Sequence, residues 1–545
     1  MNWFPLCNYT HYSLLKGFSK PLSLAKKCKE NGFAACGIAD YKSISGAVAF
    51  YQACKQHGIK PIIGCSFDNF TLFAKNKDGW FDLINIVSTL DSEGNYKVSD
   101  ISDVCSRGNL IVVATSAEHS PVKNGWYEKT ECFQDMHYVE KEDAGLHRIL
   151  LCSEMKETLP KMRKKYQKGE RNFNNQKFFD FSHFYVPNQT ESAELILSDP
   201  KGFQGLQKIF KQCEEYDILN KPMLPKFETP NDESEKDYLR NLARQGWKDL
   251  LSHKIKDEDQ KAAYGDRFNK EFAVIEEANL FGYFLIVRDI INYAVQQGWM
   301  VGPGRGSAAG CLISYLIGIT QIDPIEFDLL FERFYNSGRN TKDNISLPDI
   351  DIDIPGKKRD QIIEYIKNKY GQENVSQMVT FGRLQGRSAI KEVLRIHEAC
   401  GYGVMNEITK CIPDEATISD QLAQMDPEDR SIIRWALQNN SEDLFDYCHI
   451  NSQGQLEGDY AQYFEEAIKI EGTLKTQGKH AAGVVISAQK LGDVCPMVNP
   501  KNGGEKVAGL EMADLEALGH VKFDILAINL LDKCMYIQDL IETGR

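Results

Sequence analysis

The 545-residue sequence contains no run that approaches the roughly 18 consecutive apolar residues that a membrane-spanning helix requires. Its N-terminus also lacks the basic and then apolar segments of a secretory leader. These two absences predict a cytoplasmic protein that does not associate with membranes. The 15 cysteines include no C-x-x-C pair and no cysteine–histidine cluster with zinc spacing, so we expect reduced and mostly buried thiols.

An excess of basic residues is absent as well. The formal net charge of −13 argues against a protein that binds nucleic acid through a generally basic surface. Local basic segments remain compatible with this charge, because salt screens electrostatic attraction beyond about 8–10 Å. The hydrophobic content of 42% and the charged content of 26% are typical of soluble globular proteins. The length corresponds to roughly three or four domains.

Apolar and polar segments alternate in a way that predicts an α/β multidomain protein. Residues 1 to about 225 alternate short apolar runs with amphipathic helical segments, which is typical of α/β domains. A polar, acidic segment at residues 227–237 reads as a linker. Residues 381–478 are helix-rich and charged, and the later runs HAAGVVIS and GHVKFDILAI indicate strands.

The segment SLPDIDIDIPG, residues 346–356, places Asp349, Asp351 and Asp353 at every second position. On a β-strand these carboxylates would share one face, and the isoleucines between them would face the core. Neighbouring carboxylates raise each other's pKa unless a cation lies between them. Mg²⁺ suits such a site, because it prefers oxygen ligands and often bridges to phosphates. The alternative is an exposed strand face with solvated acids.

The segment VGPGRGSAAG, residues 301–310, leads into the apolar run CLISYLIGI, for which we expect a helix. Glycines let the backbone approach a ligand, and a helix N-terminus offers N–H groups that suit a phosphate. The segment matches neither the Walker P-loop nor the dinucleotide-binding fingerprint. Plain turn chemistry is therefore the alternative explanation.

Two further segments carry charged residues at regular spacing. VKFDIL, residues 521–526, would place Lys522 and Asp524 on one face of a strand. In TFGRLQGRSAIKEVLR, basic residues recur every four positions on one predicted helix face: Arg383, Arg387, Lys391 and Arg395. Such a stripe can follow a phosphate backbone, and a solvated helix face would look similar. Together, the four segments predict a nucleotidyltransferase palm, in which carboxylates hold two metal ions for in-line phosphoryl transfer.

Six segments in the same order resemble the bacterial C-family replicative DNA polymerases, the α subunits of DNA polymerase III. They are GPGRGSAAG, DPIEFDLLFERF, LPDIDIDIPGKKRD, VTFGRLQGRSAIKEV, GKHAAGVVIS and VKFDIL. The resemblance covers essentially the whole chain. It implies a PHP-like α/β domain in residues 1–225 and a polymerase β-like palm with a mixed sheet in residues 226–380 and 479–545. A helical thumb, residues 381–478, would be inserted between the two palm parts, and the fingers would begin within residues 479–545.

The resemblance also implies site residues. The catalytic, metal-binding acids would be Asp349, Asp351 and Asp524, with Asp353 as a further candidate. The triphosphate would contact Gly306, Ser307, Arg333 and Lys522, which supply backbone and hydroxyl donors, a forked guanidinium and an ammonium group. The basic stripe that contains Arg383, Arg387, Lys391 and Arg395 would contact duplex DNA. His480 lies in a family-like segment, and we expect it to have a structural role.

The N-terminal region departs from the family at its metal positions. An active PHP domain binds metals through an H-x-H pair, an aspartate–histidine pair and a glutamate. These positions here hold Cys7 and Tyr9, then Asp40 and Tyr41, and finally Ser66. One remaining carboxylate cannot hold a trinuclear cluster. We therefore predict a structural PHP-like domain that has no metal site and no exonuclease activity.

The chain stops about twenty residues after Asp524, whereas the family continues with fingers, clamp-binding and OB regions. We therefore expect either a fragment or a polymerase split between two polypeptides, as a phage replicase could be, with little synthesis by this chain alone.

The predicted function is DNA-directed DNA synthesis in the cytoplasm of a bacterium or of a bacterial host. Two Mg²⁺ ions, dNTPs and primed template DNA would take part. A second polypeptide would carry the fingers and recruit a sliding clamp. Two alternatives are a non-catalytic assembly subunit with a vestigial palm and a PHP-type phosphoesterase, and the missing PHP ligands argue against the second.

Overall fold

A computed structural model describes residues 3–170, 183–335, 348–426, 429–500 and 503–544. The chain forms two compact units. The first comprises Met1–Asp217 and Phe381–Gly478, and the second comprises Ile218–Thr380 and Lys479–Arg545. Every helix in the described ranges is too short or too polar to cross a lipid bilayer.

The N-terminal part of the first unit alternates strands and helices, as the sequence predicts. Its elements are β1 (Cys7–Asn8), α1 (Pro21–Glu30), β2 (Ala35–Tyr41), α2 (Ala47–His57), β3 (Lys60–Ser66), β4 (Phe70–Ala74), α3 (Lys77–Thr89), α4 (Val98–Cys105), β5 (Leu110–Ala114), β6 (Tyr127–Glu128), β7 (Asp135–Met136), α5 (Ala144–Met155), α6 (Leu159–Gln167), α7 (Gln189–Ser198) and α8 (Pro200–Gln212). Strands β2 to β6 lie in that order in one mixed sheet. Strands β4 and β5 are buried along their whole length, which explains the continuous apolar sequence of β5 and the apolar sequence of β4 around the buried Thr71.

The second unit begins with helices and then reaches the aspartate segment. Its elements up to the unit boundary are α9 (Glu235–Gly246), α10 (Glu258–Glu277), α11 (Phe281–Gln296), α12 (Leu312–Leu316), β8 (Asp351–Pro355), α13 (Arg359–Tyr370) and β9 (Val375–Arg383), which crosses the boundary. Helix α12 is shorter than the predicted helix over CLISYLIGI. It ends before Gly318, whose φ of 79° is a left-handed conformation that stops a helix.

Residues 381–478 add helices to the first unit. These elements are α14 (Gly386–His397), α15 (Tyr402–Lys410), α16 (Ser419–Gln424), α17 (Ile432–Asn439), α18 (Ser441–Leu444), β10 (His449–Ile450), β11 (Leu456–Glu457) and α19 (Ala461–Ile470). Their apolar faces share one core with α5, in which Leu150 packs with Leu394 and Phe464, each fully buried. The helical segment and the N-terminal segment therefore stabilise each other.

The last segment returns to the sheet of the second unit. Its elements are β12 (Leu474–Ile486), which starts before the boundary, α20 (Leu491–Val494), β13 (Met497–Val498), β14 (Val507–Ala508), α21 (Met512–Ala517), β15 (Val521–Ile528) and α22 (Asn529–Thr543). In the described ranges the strand order is β13-β14-β9-β12-β15-β8. Strand β15 is antiparallel to β12 and parallel to β8, so the sheet is mixed, as predicted for the palm. This arrangement places β15 directly beside the aspartate strand.

Candidate active site

Strand β8 carries the predicted row of aspartates. The strand begins at Asp351, and Asp349 lies in the extended segment just before it. Asp349 is exposed, and Asp351 and Asp353 are partly buried. The isoleucines that alternate with them have at most 1% of their surface exposed. The period-2 pattern of the sequence therefore predicted correctly which side chains enter the core and which face outward.

Strand β15 adds a third acid to the first two. Asp524 is the direct partner of Asp351 in the parallel register. One carboxylate oxygen from each of Asp349, Asp351 and Asp524 lies within 4.8 Å of the other two. Within the described ranges, this is the only cluster of three or more histidine, cysteine, aspartate or glutamate side chains with metal-binding spacing. The two strands thus bring together the three acids that the sequence singled out.

The charge balance of this acidic triad fits a cation. Burial raises the pKa of Asp351, and the charges of Asp349 and Asp524 raise it further. The Lys522 ammonium lies 2.6 Å from Oδ2 of Asp524, whereas the buried Oδ1 of Asp524 has no hydrogen-bond partner among the described residues. A divalent ion would give this oxygen a ligand bond and would offset the repulsion among the carboxylates. The residues present therefore fit a metal site.

Tyr283 of α11 supports the backbone of the triad. Its hydroxyl accepts a hydrogen bond of 3.2 Å from the backbone N–H of Ile350, between Asp349 and Asp351. Its ring stacks on Phe523 with 5.3 Å between the ring centroids, and burial raises the pKa of its hydroxyl. No local sequence signal indicates this contact, because Tyr283 is one of several aromatic residues in an apolar helix.

The glycine-rich turn lies against the C-terminal half of β8. The N–H of Gly302 donates to the carbonyl oxygen of Asp353 at 3.0 Å, and a Cβ on Gly302 would lie 2.4 Å from the Asp353 Cβ. Gly304 and Gly306 have φ values of 105° and 58°, which other residues rarely adopt. Turn chemistry and close packing thus explain Gly302 and Gly304. A Cβ on Gly306 would meet no atom within 4 Å, so the turn is open at the position where the family resemblance implies a triphosphate contact, next to the partly buried Ser307.

The start of α12 does not offer the N–H groups that we expected for a phosphate. The fully buried carboxyl group of Glu271 in α10 accepts hydrogen bonds from the N–H groups of Leu312 and Ile313, both at 3.0 Å. Arg267 joins this network, donating to Glu271 at 2.6 Å and to the carbonyl oxygen of Gly310 at 2.7 Å. The expectation was wrong, because a carboxyl group 41 residues away in sequence already binds these donors.

The remaining predicted nucleotide contacts lie on two elements. Arg333 is exposed at the end of a short turn, Phe331–Arg333, that packs against the turn of Gly306 and Ser307. Lys522 lies on β15 and pairs with Asp524. Asp353, the further candidate for a metal ligand, stands apart from the triad. It pairs through both carboxylate oxygens with Arg305, a residue that the sequence analysis did not single out.

The predicted basic stripe does not lie on a single helix. Arg383 is the last residue of β9, whereas α14 starts at Gly386, so the helical placement was wrong for Arg383. The spacing of four is misleading here, because pairing of β9 within the sheet holds residues up to Arg383 extended.

The other three basic residues lie on α14 and already contact neighbouring side chains. Arg387 pairs with Asp414 at 2.9 Å, and Arg395 pairs with Glu392 at 2.6 Å. The Lys391 ammonium lies over the ring of Tyr402, 5.6 Å from its centroid. Arg387 and Lys391 are nevertheless exposed on the surface of the helix.

His480 of β12 lies close enough to Asp524 to feel its charge. Its Nδ1 accepts hydrogen bonds from the N–H groups of Gly483, at 2.7 Å, and Ala482, at 3.2 Å. Burial lowers the pKa of His480, and the charge of Asp524 acts in the opposite direction. The ring therefore fixes the backbone of β12 at Gly483, the residue directly opposite Asp524 in the register.

The positions of the PHP metal ligands hold side chains with other partners. The hydroxyl groups of Tyr9 and Ser66 share a hydrogen bond of 2.6 Å. Burial raises the pKa of the Cys7 thiol to about 12, so this thiol stays protonated at neutral pH and is a poor metal ligand.

Asp40 is the one acid that remains at these positions. Its carboxyl group accepts hydrogen bonds from the N–H and hydroxyl of Thr10, both at 2.7 Å, and from the hydroxyl of Ser13 at 2.6 Å. Burial raises its pKa to about 6, although these hydrogen bonds act to lower it. The neighbouring Tyr41 donates to Asp68 at 2.5 Å.

Two family models match the chain. The bacterial DNA polymerase III alpha NTPase domain matches residues 237–527, which include the acidic triad, the glycine-rich turn and Arg333. This match covers more than half of the 545 residues. The chain belongs to the bacterial DNA polymerase III alpha family. The PHP domain matches residues 6–154, and the two matches confirm both the resemblance and the α/β multidomain fold.

Curated relatives agree with this family. The chain is 30% identical to DNA polymerase III subunit alpha of Buchnera aphidicola (subsp. Acyrthosiphon pisum), with 98% of the chain and 49% of the relative covered. The corresponding protein of Pseudomonas aeruginosa is 29% identical, with 98% of the chain and 48% of the relative covered. That of Bacillus subtilis is 30% identical, with coverages of 99% and 50%. The chain therefore spans about half the length of the curated relatives that it matches.

Proposed function

We propose that this chain supplies the catalytic palm of a replicative DNA-directed DNA polymerase. The observation that carries the proposal is the convergence of three carboxylates within 4.8 Å beside an open glycine-rich turn. The site lies inside the region that matches the polymerase family, and the relatives are named as DNA polymerase III alpha subunits. The substrates would be dNTPs and the 3′-hydroxyl of a primer on template DNA.

Asp349, Asp351 and Asp524 would hold two Mg²⁺ ions. These ions, when bound, lower the pKa of the attacking hydroxyl and stabilise the charge that develops on the pyrophosphate. Asp524 can serve them with Oδ1, while Lys522 neutralises its Oδ2. Tyr283 fixes the backbone between the first two acids through its hydrogen bond with Ile350.

Four residues would orient the triphosphate. Gly306 and Ser307 offer an open turn with backbone and hydroxyl donors, and Arg333 presents an exposed guanidinium on the adjoining turn. Lys522 would contact the triphosphate as a point charge beside Asp524. Together these groups would hold the phosphate chain in line with the primer hydroxyl, which is the positioning that phosphoryl transfer requires.

The domain roles follow the family. Residues 226–380 and 479–545 would form the palm, residues 381–478 the thumb, and residues 1–225 a PHP-like domain that has no metal site. The exposed surface of α14 and the end of β9 would contact the backbone of duplex DNA through Arg383, Arg387, Lys391 and Arg395.

Because the chain spans half of its relatives, we propose that full synthesis also needs the fingers and C-terminal regions that correspond to their other half. These regions would lie either on the same polypeptide, if this chain is a fragment, or on a second polypeptide, and they would bind a sliding clamp. The assembly would work in the cytoplasm of a bacterium or of a bacterial host.

Primer extension with a reconstituted enzyme tests the proposal. The chain is combined with a separately produced polypeptide that carries the fingers and C-terminal regions, and incorporation of dNTPs is measured with Mg²⁺. We expect Asp351→Asn to abolish incorporation. Asp289→Asn is the matched control. Asp289 on α11 pairs with Lys369 on α13 at 2.5 Å, in the same unit as the triad, and its substitution should leave incorporation intact. Full incorporation by Asp351→Asn would show that the palm is vestigial and that the chain is an assembly subunit.

A further inference from the structure

Arg305 and Asp353 form a two-point ion pair across the glycine-rich turn and β8. Nε of Arg305 lies 3.0 Å from Oδ2 of Asp353, and its Nη2 lies 2.8 Å from Oδ1. The Asp353 side chain is 11% exposed and the Arg305 side chain is 42% exposed, so only the aspartate side of the contact is shielded from water. The Nε–H group donates a hydrogen bond to Oδ2, whereas Oδ1 accepts no hydrogen bond from the described residues and meets Nη2 only as a close contact of opposite charges. The pair therefore restrains the direction of the turn at Arg305.

The same aspartate residue also holds the other end of the turn. The carbonyl oxygen of Asp353 accepts a hydrogen bond of 3.0 Å from the N–H of Gly302, where no space exists for a side chain. Asp353 thus contacts both ends of the turn between Gly302 and Arg305. Its carbonyl oxygen binds the N–H of Gly302, and its carboxylate binds the side chain of Arg305. Gly306, the first residue of the open segment, follows immediately.

The register of the sheet separates Asp353 from the acidic triad. Asp524 lies opposite Asp351, whereas Asp353 lies opposite Leu526, so β15 provides no acid at the level of Asp353. Residues two apart on a strand are displaced by about 6.6 Å along it. A metal ion at Asp353 would also have to displace the Arg305 guanidinium. These features disfavour the role of a third metal ligand on β8.

We propose that Asp353 is a positioning residue that acts through Arg305 to hold the glycine-rich turn in the orientation that binds the triphosphate. The inference rests on the proposed polymerase function for the role of the turn. It assigns the third aspartate of the D-x-D-x-D row to the turn and leaves the metal ions to Asp349, Asp351 and Asp524.

The Mn²⁺ affinity of the Asp353→Asn variant distinguishes a positioning residue from a metal ligand. The full chain and its Arg305→Gln, Asp353→Asn and doubly substituted variants are titrated first with Mn²⁺ alone and then with dATP in the presence of Mn²⁺. We expect each single variant to weaken dATP binding about tenfold and the double variant to be no weaker, because both substitutions remove one shared interaction. Mn²⁺ affinity should stay within about threefold in Asp353→Asn, whereas Asp351→Asn should lose at least about tenfold.

Hydrogen exchange gives a readout that needs no nucleotide. Backbone amides of Gly302 and of residues 304–307 should exchange about tenfold faster in both single variants, with no further increase in the double variant. Lys369→Gln, which breaks the Lys369–Asp289 pair in the same unit, is the matched control and should change neither dATP binding nor exchange in the turn.

Two results would overturn the inference. One is a loss of Mn²⁺ affinity in Asp353→Asn equal to that in Asp351→Asn, together with tighter Mn²⁺ binding in Arg305→Gln. The other is unchanged exchange in the turn in both single variants. If the wild-type chain binds no dATP, or if Asp351→Asn binds Mn²⁺ like the wild type, the proposed polymerase site fails, and the exchange measurement still decides whether the pair holds the turn.

Discussion

Replacing Asp351 with asparagine should stabilise the protein when no metal is bound. Asp351 lies between two other carboxylates, with ligand oxygens within 4.8 Å of one another. At that distance two unit charges repel by about 3 kcal/mol at an effective dielectric constant of about 20, and by about 1 kcal/mol in water. Because Asp349 is exposed and solvent screens its charge, the lower part of this range applies. We therefore expect a gain of about 1–2 kcal/mol in the free energy of unfolding at neutral pH in EDTA.

The stability that Asp351→Asn gains in EDTA should grow with pH. The pKa of Asp351 in the folded chain lies above its ordinary value of 3.8, because of burial and the charges of Asp349 and Asp524. The folded chain therefore binds more protons than the unfolded chain above pH 3.8, and its stability falls as the pH rises through the raised pKa. The asparagine variant lacks this loss. Its advantage in EDTA should be smallest near pH 4 and largest near pH 7.

Mg²⁺ should make the wild type more stable than the Asp351→Asn variant. A ligand at 100 times its dissociation constant stabilises the folded state by about 2.7 kcal/mol, and the wild type should gain this when its triad binds ions. Asp351→Asn lacks a central ligand and should gain little. Calorimetric unfolding of both proteins in EDTA and in Mg²⁺, at pH 5 and pH 7, would measure these shifts.

A second substitution on β8 serves as the control. Asp353→Asn removes the same charge two residues further along, but it also breaks the pair with Arg305, so it should not stabilise the protein in EDTA. A lower unfolding temperature for Asp351→Asn in EDTA, or equal Mg²⁺-dependent shifts in this variant and the wild type, would contradict the assignment of the triad as a cation site.

Three further outcomes are expected. Glu271→Gln should lower the free energy of unfolding by about 3 kcal/mol in denaturant titrations, because it breaks a buried ion pair. Gly302→Ala should weaken dATP binding about tenfold, since its Cβ would lie 2.4 Å from that of Asp353, whereas Gly265→Ala, with open space around it, should bind normally. Arg383→Gln should make the slope of log affinity against log salt shallower for a primed duplex, by the contribution of about one phosphate contact.

The acidic triad could be predicted from sequence because its signals are local. Alternation of aspartate and isoleucine determines which side chains of β8 face outward, and Lys522 and Asp524 on β15 follow the same period. The family-like order of the segments then indicated that the two strands meet. The alternation does not give the register, and the structure supplies it by pairing Asp524 with Asp351.

The residues that support the site could not be predicted, because they contact it across long stretches of chain. Glu271 binds the start of α12 across 41 residues, Tyr283 binds Ile350 across 67, and Arg305 pairs with Asp353 across 48. Local patterns assign such residues to a helix face or a turn and give no partner. The basic stripe shows that a local pattern can also mislead. Its spacing of four fits one helix, but its first residue ends a strand and the other three lie on the helix that follows.

The structure also shows why four acids on two neighbouring strands need not share one role. Arg305 neutralises Asp353, and Lys522 neutralises one oxygen of Asp524. Among the described residues, no basic side chain forms an ion pair with Asp349 or Asp351, although the charge of Arg305 acts to lower the pKa of Asp351. The uncompensated negative charge is therefore concentrated where β8 begins and Asp351 meets Asp524. A cation that binds this edge of the sheet would gain most at that point, so the uneven distribution of basic partners selects the three acids of the triad.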